Sequence, residues 1–102
     1  MPPAKTEYAE NIYWVYGLVL SDEVDFDAAE AMKKLAALGV GCRPFFCPMN
    51  QQPVLLERGL FKGESYPVAE RMYRKGFYIP SGLALTDAQM TRVAEAVGSI
   101  LK

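Results

Sequence analysis

Arg43 is the side chain in this sequence best suited to gripping an anion. It stands in the run Cys42-Arg43-Pro44-Phe45-Phe46-Cys47, close to aromatic neighbours. Its planar guanidinium fork matches a carboxylate or a phosphate, and it equally suits one half of a structural ion pair. An uncharged polar run, Met49-Asn50-Gln51-Gln52, follows directly. That run reads either as an ordinary turn or as a loop in contact with a ligand. Tyr13, Trp14 and Tyr16 lack the interleaved basic residues of a base-stacking platform, so they read as core. Glu7 with Glu10, and Asp22 with Glu23, read as solvated charges rather than paired catalytic carboxylates. The sequence contains no His, which removes the commonest general base, the usual catalytic triads and most zinc sites. Its two Cys, Cys42 and Cys47, lie an odd number of residues apart in a stretch that reads as a strand. Odd spacing sends side chains to opposite faces, so a direct disulfide or a shared metal is not expected. They read as half-buried free thiols of a cytosolic protein.

With 102 residues the chain is one domain or part of one. Hydrophobic residues make up 51% and charged residues 23%, a profile that excludes intrinsic disorder. The net charge is −1, without the basic excess of a nucleic-acid binder. No apolar run approaches the roughly 20 residues of a membrane span, and no signal-peptide pattern opens the chain.

These side chains need elements to position them. Residues 1–11, with Pro2 and Pro3, read as an extended lead-in. Residues 12–20 (IYWVYGLVL) read as the strongest strand, aromatic and β-branched throughout. Residues 25–38 read as an amphipathic helix. Asp27 is its N-cap and Glu30 the box partner; Ala28, Ala31, Met32, Leu35 and Leu38 form the stripe, and Gly39 stands at the C-terminal stop. Residues 40–47 read as a second strand, placed at an edge or bulged by Pro44. A short helix at most is expected within 49–62, and another over 65–75 with Gly76 as its stop. Phe77 to Ile79 form a short strand. Thr86 and Gln89 make a capping box for a final helix over 86–101, buried through Met90, Val93, Ala94, Val97 and Leu101. The order β-α-β-α-α-β-α predicts an α+β fold: a small, mostly antiparallel sheet with helices on one face.

The strand over 12–20 is apolar on both faces, and Phe45 and Phe46 also point opposite ways. A two-layer domain covers only one sheet face. Either the second face meets a partner or a second copy, or residues 48–76 fold across it.

Three tracts carry a resemblance: NIYWVYGLVL, LAALGVGCRPFFCPMNQQPVL and YPVAERMYRKGFYIPSGLALTDAQMTRVAEAV. Together they resemble the C-terminal region of the DegT/DnrJ/EryC1/StrS family of pyridoxal-phosphate-dependent sugar-nucleotide aminotransferases, over residues 8–102. The tract around Trp14 and Tyr16 and the tract CRPFFCPMNQ look most like the perosamine synthase subgroup. The resemblance implies the C-terminal small domain of a fold-type I aminotransferase, residues 12–102, preceded by the lead-in 1–11. In the family a large N-terminal domain carries the Schiff-base lysine, the aspartate on the pyridine nitrogen and the phosphate-binding groups. None of Lys5, Lys33, Lys34, Lys62, Lys75 and Lys102 matches the Schiff-base motif. The resemblance therefore implies a chain inactive alone, with no catalytic residue, metal or pyridoxal phosphate of its own and with the large domain as missing partner. The intact parent would be a cytoplasmic homodimer that moves an amino group, from glutamate, to a 4-keto-6-deoxy nucleotide sugar in polysaccharide biosynthesis. By resemblance, Arg43 is an anion contact, Phe45 a wall, and Met49 and Asn50 loop contacts in its substrate cleft. Many family members have His where Asn50 stands, and an amide cannot titrate. The reading from a different class is a stand-alone, ferredoxin-like binding or dimerisation module.

Overall fold

The structure, a computed structural model, describes residues 4–102. The part of the expected lead-in over 1–3 lies outside the described residues. Residues 4–15 form bends and coil. Eight elements follow: β1 (Tyr16–Val19), α1 (Ala28–Ala37), β2 (Arg43–Pro44), a 3-10 turn η1 (Met49–Gln51), α2 (Pro53–Glu57), α3 (Pro67–Lys75), β3 (Gly76–Ile79) and α4 (Asp87–Ile100). The expected order of strands and helices holds, and so does the α+β class.

The helices start and stop where their end residues dictate. Asp27 accepts from the Glu30 N–H at 2.9 Å and opens α1. Gly39, at φ +80°, lies just beyond its end. Thr86 and Gln89 exchange the two bonds of a complete capping box at α4. Pro67 opens α3 at a position where a missing N–H costs nothing. Gly76 stops α3 as expected and, with φ −106°, is at the same time the first residue of β3.

All sheet pairing is antiparallel, in the order β1-β3-β2, so β3 is central and β2 lies at an edge. Tyr16 faces Ile79 and Leu18 faces Phe77 on β1, while Arg43 faces Tyr78 on β2. Alternation then sends Leu18, Leu20, Phe77 and Ile79 toward the helices. Gly17, Val19, Gly76, Tyr78, Arg43 and Phe45 belong to the outer face. The core is Leu20, Ala28, Ala31, Leu35, Val40, Phe77 and Ala96, with Leu18, Cys42, Ile79, Val93, Val97 and Ile100 packed around it.

Two packing expectations are corrected. The strand over 12–20 shrinks to four residues, and Trp14 is 77% exposed rather than core. The buried side of α4 runs through Ala96 rather than Ala94, and Met90 and Leu101 are largely exposed. The outer sheet face is covered at its centre by the chain's own aromatics. Phe45 lies against Tyr78 with ring centroids 4.7 Å apart, and its ring occupies the space over Gly17 and Gly76.

Candidate functional site

The run after α1 is the part of the molecule where the sequence concentrates ligand-binding chemistry. Pairing with β3 fixes the direction of its first residues. Arg43 stands opposite Tyr78 on the outer face, exposed, and makes no ion pair among the described residues. Of the two readings of Arg43, the structural ion pair therefore has no partner here. Phe45 is half-buried on the same face, held by Tyr78 and by the two glycines beneath it. Phe46 is 82% exposed and meets Tyr78 edge-on.

Beyond Pro48 the chain turns through η1. Met49 points to solvent. Asn50 does the opposite: it is the buried polar residue among the described residues, and its Nδ2 donates to Oε1 of Glu70 at 2.7 Å. The same carboxylate oxygen accepts the Tyr66 N–H at 3.0 Å, just ahead of α3. These bonds, the Tyr66 N–H first and Asn50 second, hold the Glu70 carboxyl below the usual carboxylate range. Gln52 adds a bond from Nε2 to the Cys47 carbonyl at 3.1 Å. The four candidate residues thus share one stretch of chain but face three ways: Arg43 and Phe45 outward on the sheet, Met49 to solvent, and Asn50 inward to α3.

Behind this run lies a cleft of about 570 Å³, lined by α1, Pro44, Gln51 and α3, including Asp27, Glu70, Arg71 and Arg74. Arg71 Nε donates to both oxygens of Asp22, at 3.0 and 3.2 Å, and that contact lowers the Asp22 pKa. Lys75 Nζ donates to the carbonyls of Val24 and Phe26, at 2.7 and 3.0 Å. The connection from β1 to α1 is therefore fastened to α3 from two sides. Sequence reasoning missed Glu70 as the partner of Asn50, and it treated Asp22 only as a solvated charge. A second cavity of about 480 Å³ is apolar and lies between β1 and the C-terminal turn of α4.

Both thiols are free and half-buried, and burial pushes the Cys42 thiol up. No group of His, Cys, Asp and Glu able to hold a metal ion occurs among the described residues. Neither cavity is lined by a lysine, and Lys75 is engaged with Val24 and Phe26. The residues of these cavities do not fit pyridoxal phosphate, which needs a lysine amine for its Schiff base. No helix among the described residues is long and apolar enough to cross a membrane.

Comparison with known proteins gives a family and a relative. The model of the DegT/DnrJ/EryC1/StrS aminotransferase family matches residues 1–98. A GDP-perosamine synthase of Caulobacter vibrioides is 28% identical over 91 residues, which are 89% of this chain and 24% of the relative. The chain thus spans about a quarter of the length of the curated relative it matches.

Proposed function

The chain belongs to the DegT/DnrJ/EryC1/StrS aminotransferase family, and on that premise we propose that it acts as the C-terminal small domain of a sugar-nucleotide aminotransferase. Completed by a large domain, the enzyme transfers an amino group from glutamate to a 4-keto-6-deoxy nucleotide sugar, in the manner of a perosamine synthase. It works as a homodimer in the cytoplasm, a reducing compartment that suits two free thiols.

The observation that carries this reading is the amount of surface the chain leaves uncovered. Its accessible surface is 7922 Å². A self-contained monomer of 11.3 kDa exposes about 5,700 Å². The radius of gyration is 16.0 Å, against about 13 Å for a compact domain of this length. Ile12, Trp14, Phe46, Val68 and Leu83 are each at least 75% exposed. Such a surface suits a domain that folds against a larger neighbour.

In the completed enzyme the cofactor, held by the large domain, supplies the amino-transfer chemistry. The part of this chain is binding and orientation. Arg43, exposed and without an ion pair among the described residues, takes a carboxylate or phosphate of a substrate. Phe45, fixed against Tyr78, walls the site and excludes water. Met49 meets the ligand from the loop, and Asn50, turned inward, sets that loop's position through its bond to Glu70. The strip contains no acid or base, so proton transfer falls to groups outside it.

Complementation tests the reading. A separately expressed large domain of a family member, mixed with this chain, should transaminate a 4-keto-6-deoxy nucleotide sugar with glutamate, and should lose that activity when this chain is omitted. A chain that by itself turned yellow with pyridoxal phosphate, and was trapped by borohydride at one of its lysines, would overturn it.

A further inference from the structure

Two opposite charges on α3 that would ordinarily close on each other are held apart. From this we infer that the cleft between α1 and α3 binds a free α-amino acid with an apolar side chain, its ammonium on Glu70 and its carboxylate on Arg74. The inference stands independently of the enzymatic role above. The cleft meets β2 through Pro44, on the helical side of the sheet and opposite the face that carries Arg43 and Phe45.

Glu70 and Arg74 stand one turn apart on α3, and both line the cleft. An acid followed four residues later by a base is the favoured order for a helical ion pair, with Cβ atoms about 5–6 Å apart. This pair does not form: the ion pair among the described residues is Arg71 with Asp22. Glu70 is engaged the other way. The Tyr66 N–H and Asn50 Nδ2 both donate to its Oε1, which draws the carboxylate toward the start of α3. Its Oε2 accepts no hydrogen bond among the described residues, and Arg74 is exposed without a partner among them.

A zwitterion fits between these two groups. The cleft sets two carboxylates, Asp27 and Glu70, against two guanidinium groups, Arg71 and Arg74. Such a balance favours neither a net anion nor a net cation, and it suits a neutral ligand with both signs at one end. Arg71 supplies the second donor to the ligand's carboxylate. Its Nε is fixed on both oxygens of Asp22, and its terminal nitrogens have no partner among the described residues. It stands three residues before Arg74, on the same side of α3.

The rest of the wall selects the side chain. Ala28, Met32 and Pro44 present apolar surface, and Tyr73 adds an aromatic ring. An aliphatic or aromatic side chain gains by leaving water here, whereas a charged one loses hydration without a counter-charge of its own. Glutamate would bring a further carboxylate toward Asp27 and is disfavoured. The cleft volume of about 570 Å³ lies within the range of small-molecule sites, about 300–1,000 Å³.

Chemical-shift titration of the 102-residue chain tests the site, with L-phenylalanine and L-leucine as probes. Saturable shifts should appear in the first turn of α1, at Gln51 and along α3, and leave Arg43 and Phe45 unmoved. N-acetyl-phenylalanine lacks the ammonium and phenylalanine amide lacks the carboxylate. Each should bind roughly tenfold more weakly, the cost of one lost bond between charged groups. L-Glutamate should not displace phenylalanine. Arg74→Gln should weaken binding by a similar factor with an unchanged melting temperature, since Arg74 has no structural partner among the described residues. No shift up to the solubility of either amino acid overturns the inference. So does an N-acetyl or amide derivative that binds as tightly as the free amino acid, and so do shifts that persist undiminished in Arg74→Gln.

Discussion

A Cβ placed on Gly76 would stand 2.5 Å from Cδ2 of Phe45, and it would also meet the carbonyl oxygen of Met72. The backbone of Gly76 is ordinary, with φ −106°, so the requirement for glycine is purely one of space. Phe45 fills that space from the next strand, and the outer face of the sheet is closed by this fit. Gly76→Ala should therefore destabilise the fold by about 1–3 kcal/mol, the usual cost of overpacking. Urea unfolding measures it. Adding Phe45→Ala should recover only part of the loss, because the Met72 carbonyl remains in the way.

Asn50→Ala should lower the melting temperature at neutral pH and loosen the 49–51 turn. The effect depends on pH. Glu70 is held below its ordinary pKa by the Tyr66 N–H and by Asn50, so this stabilisation is present above the carboxylate range, about pH 4–4.5. It is lost as pH falls through the lowered value and the carboxylate takes up a proton. The gap between wild type and Asn50→Ala in thermal melts should close on acidification. A gap that did not narrow on acidification would mean that the charge of Glu70 contributes nothing to what Asn50 holds in place.

Two apolar truncations should behave in opposite ways. Leu35 is fully buried in the core, and Leu35→Ala should cost about 2–5 kcal/mol. Trp14 is 77% exposed, and Trp14→Ala should stay within about 0.5 kcal/mol of the parent, as exposed substitutions do. Parallel denaturation curves decide both.

Arg43→Ala should leave the melting temperature unchanged, since Arg43 is exposed and forms no ion pair among the described residues. In the complemented aminotransferase it should raise KM for the substrate whose anionic group it holds. Arg43→Lys should restore binding only in part, because an ammonium lacks the planar fork.

What the sequence allowed, and what it hid, follows from how local each feature is. Asp27, the Ala31–Leu35 stripe and Gly39 specify α1 within a dozen residues, and the Thr86–Gln89 box specifies the start of α4. The edge position of β2 is legible in Pro44. The length of β1 is not legible in β1. Residues 12–20 are suited to a long strand, but β3 offers only the four residues between Lys75 and Pro80 to pair with, and the partner sets the limit. Arg43 and Phe45 stand out by type. The role of Asn50 is hidden because its acceptor, Glu70, lies 20 residues away on a different helix, a contact that no spacing rule reaches.

The junction between α3 and β3 contains no loop: the helix ends at Lys75 and the central strand begins at Gly76. Helix and strand therefore form a single crank. Arg71 and Lys75 clamp its arm to the segment around Asp22, Val24 and Phe26. A push on α3 from any docking body is transmitted directly to the middle of the sheet, and from there to both flanking strands at once.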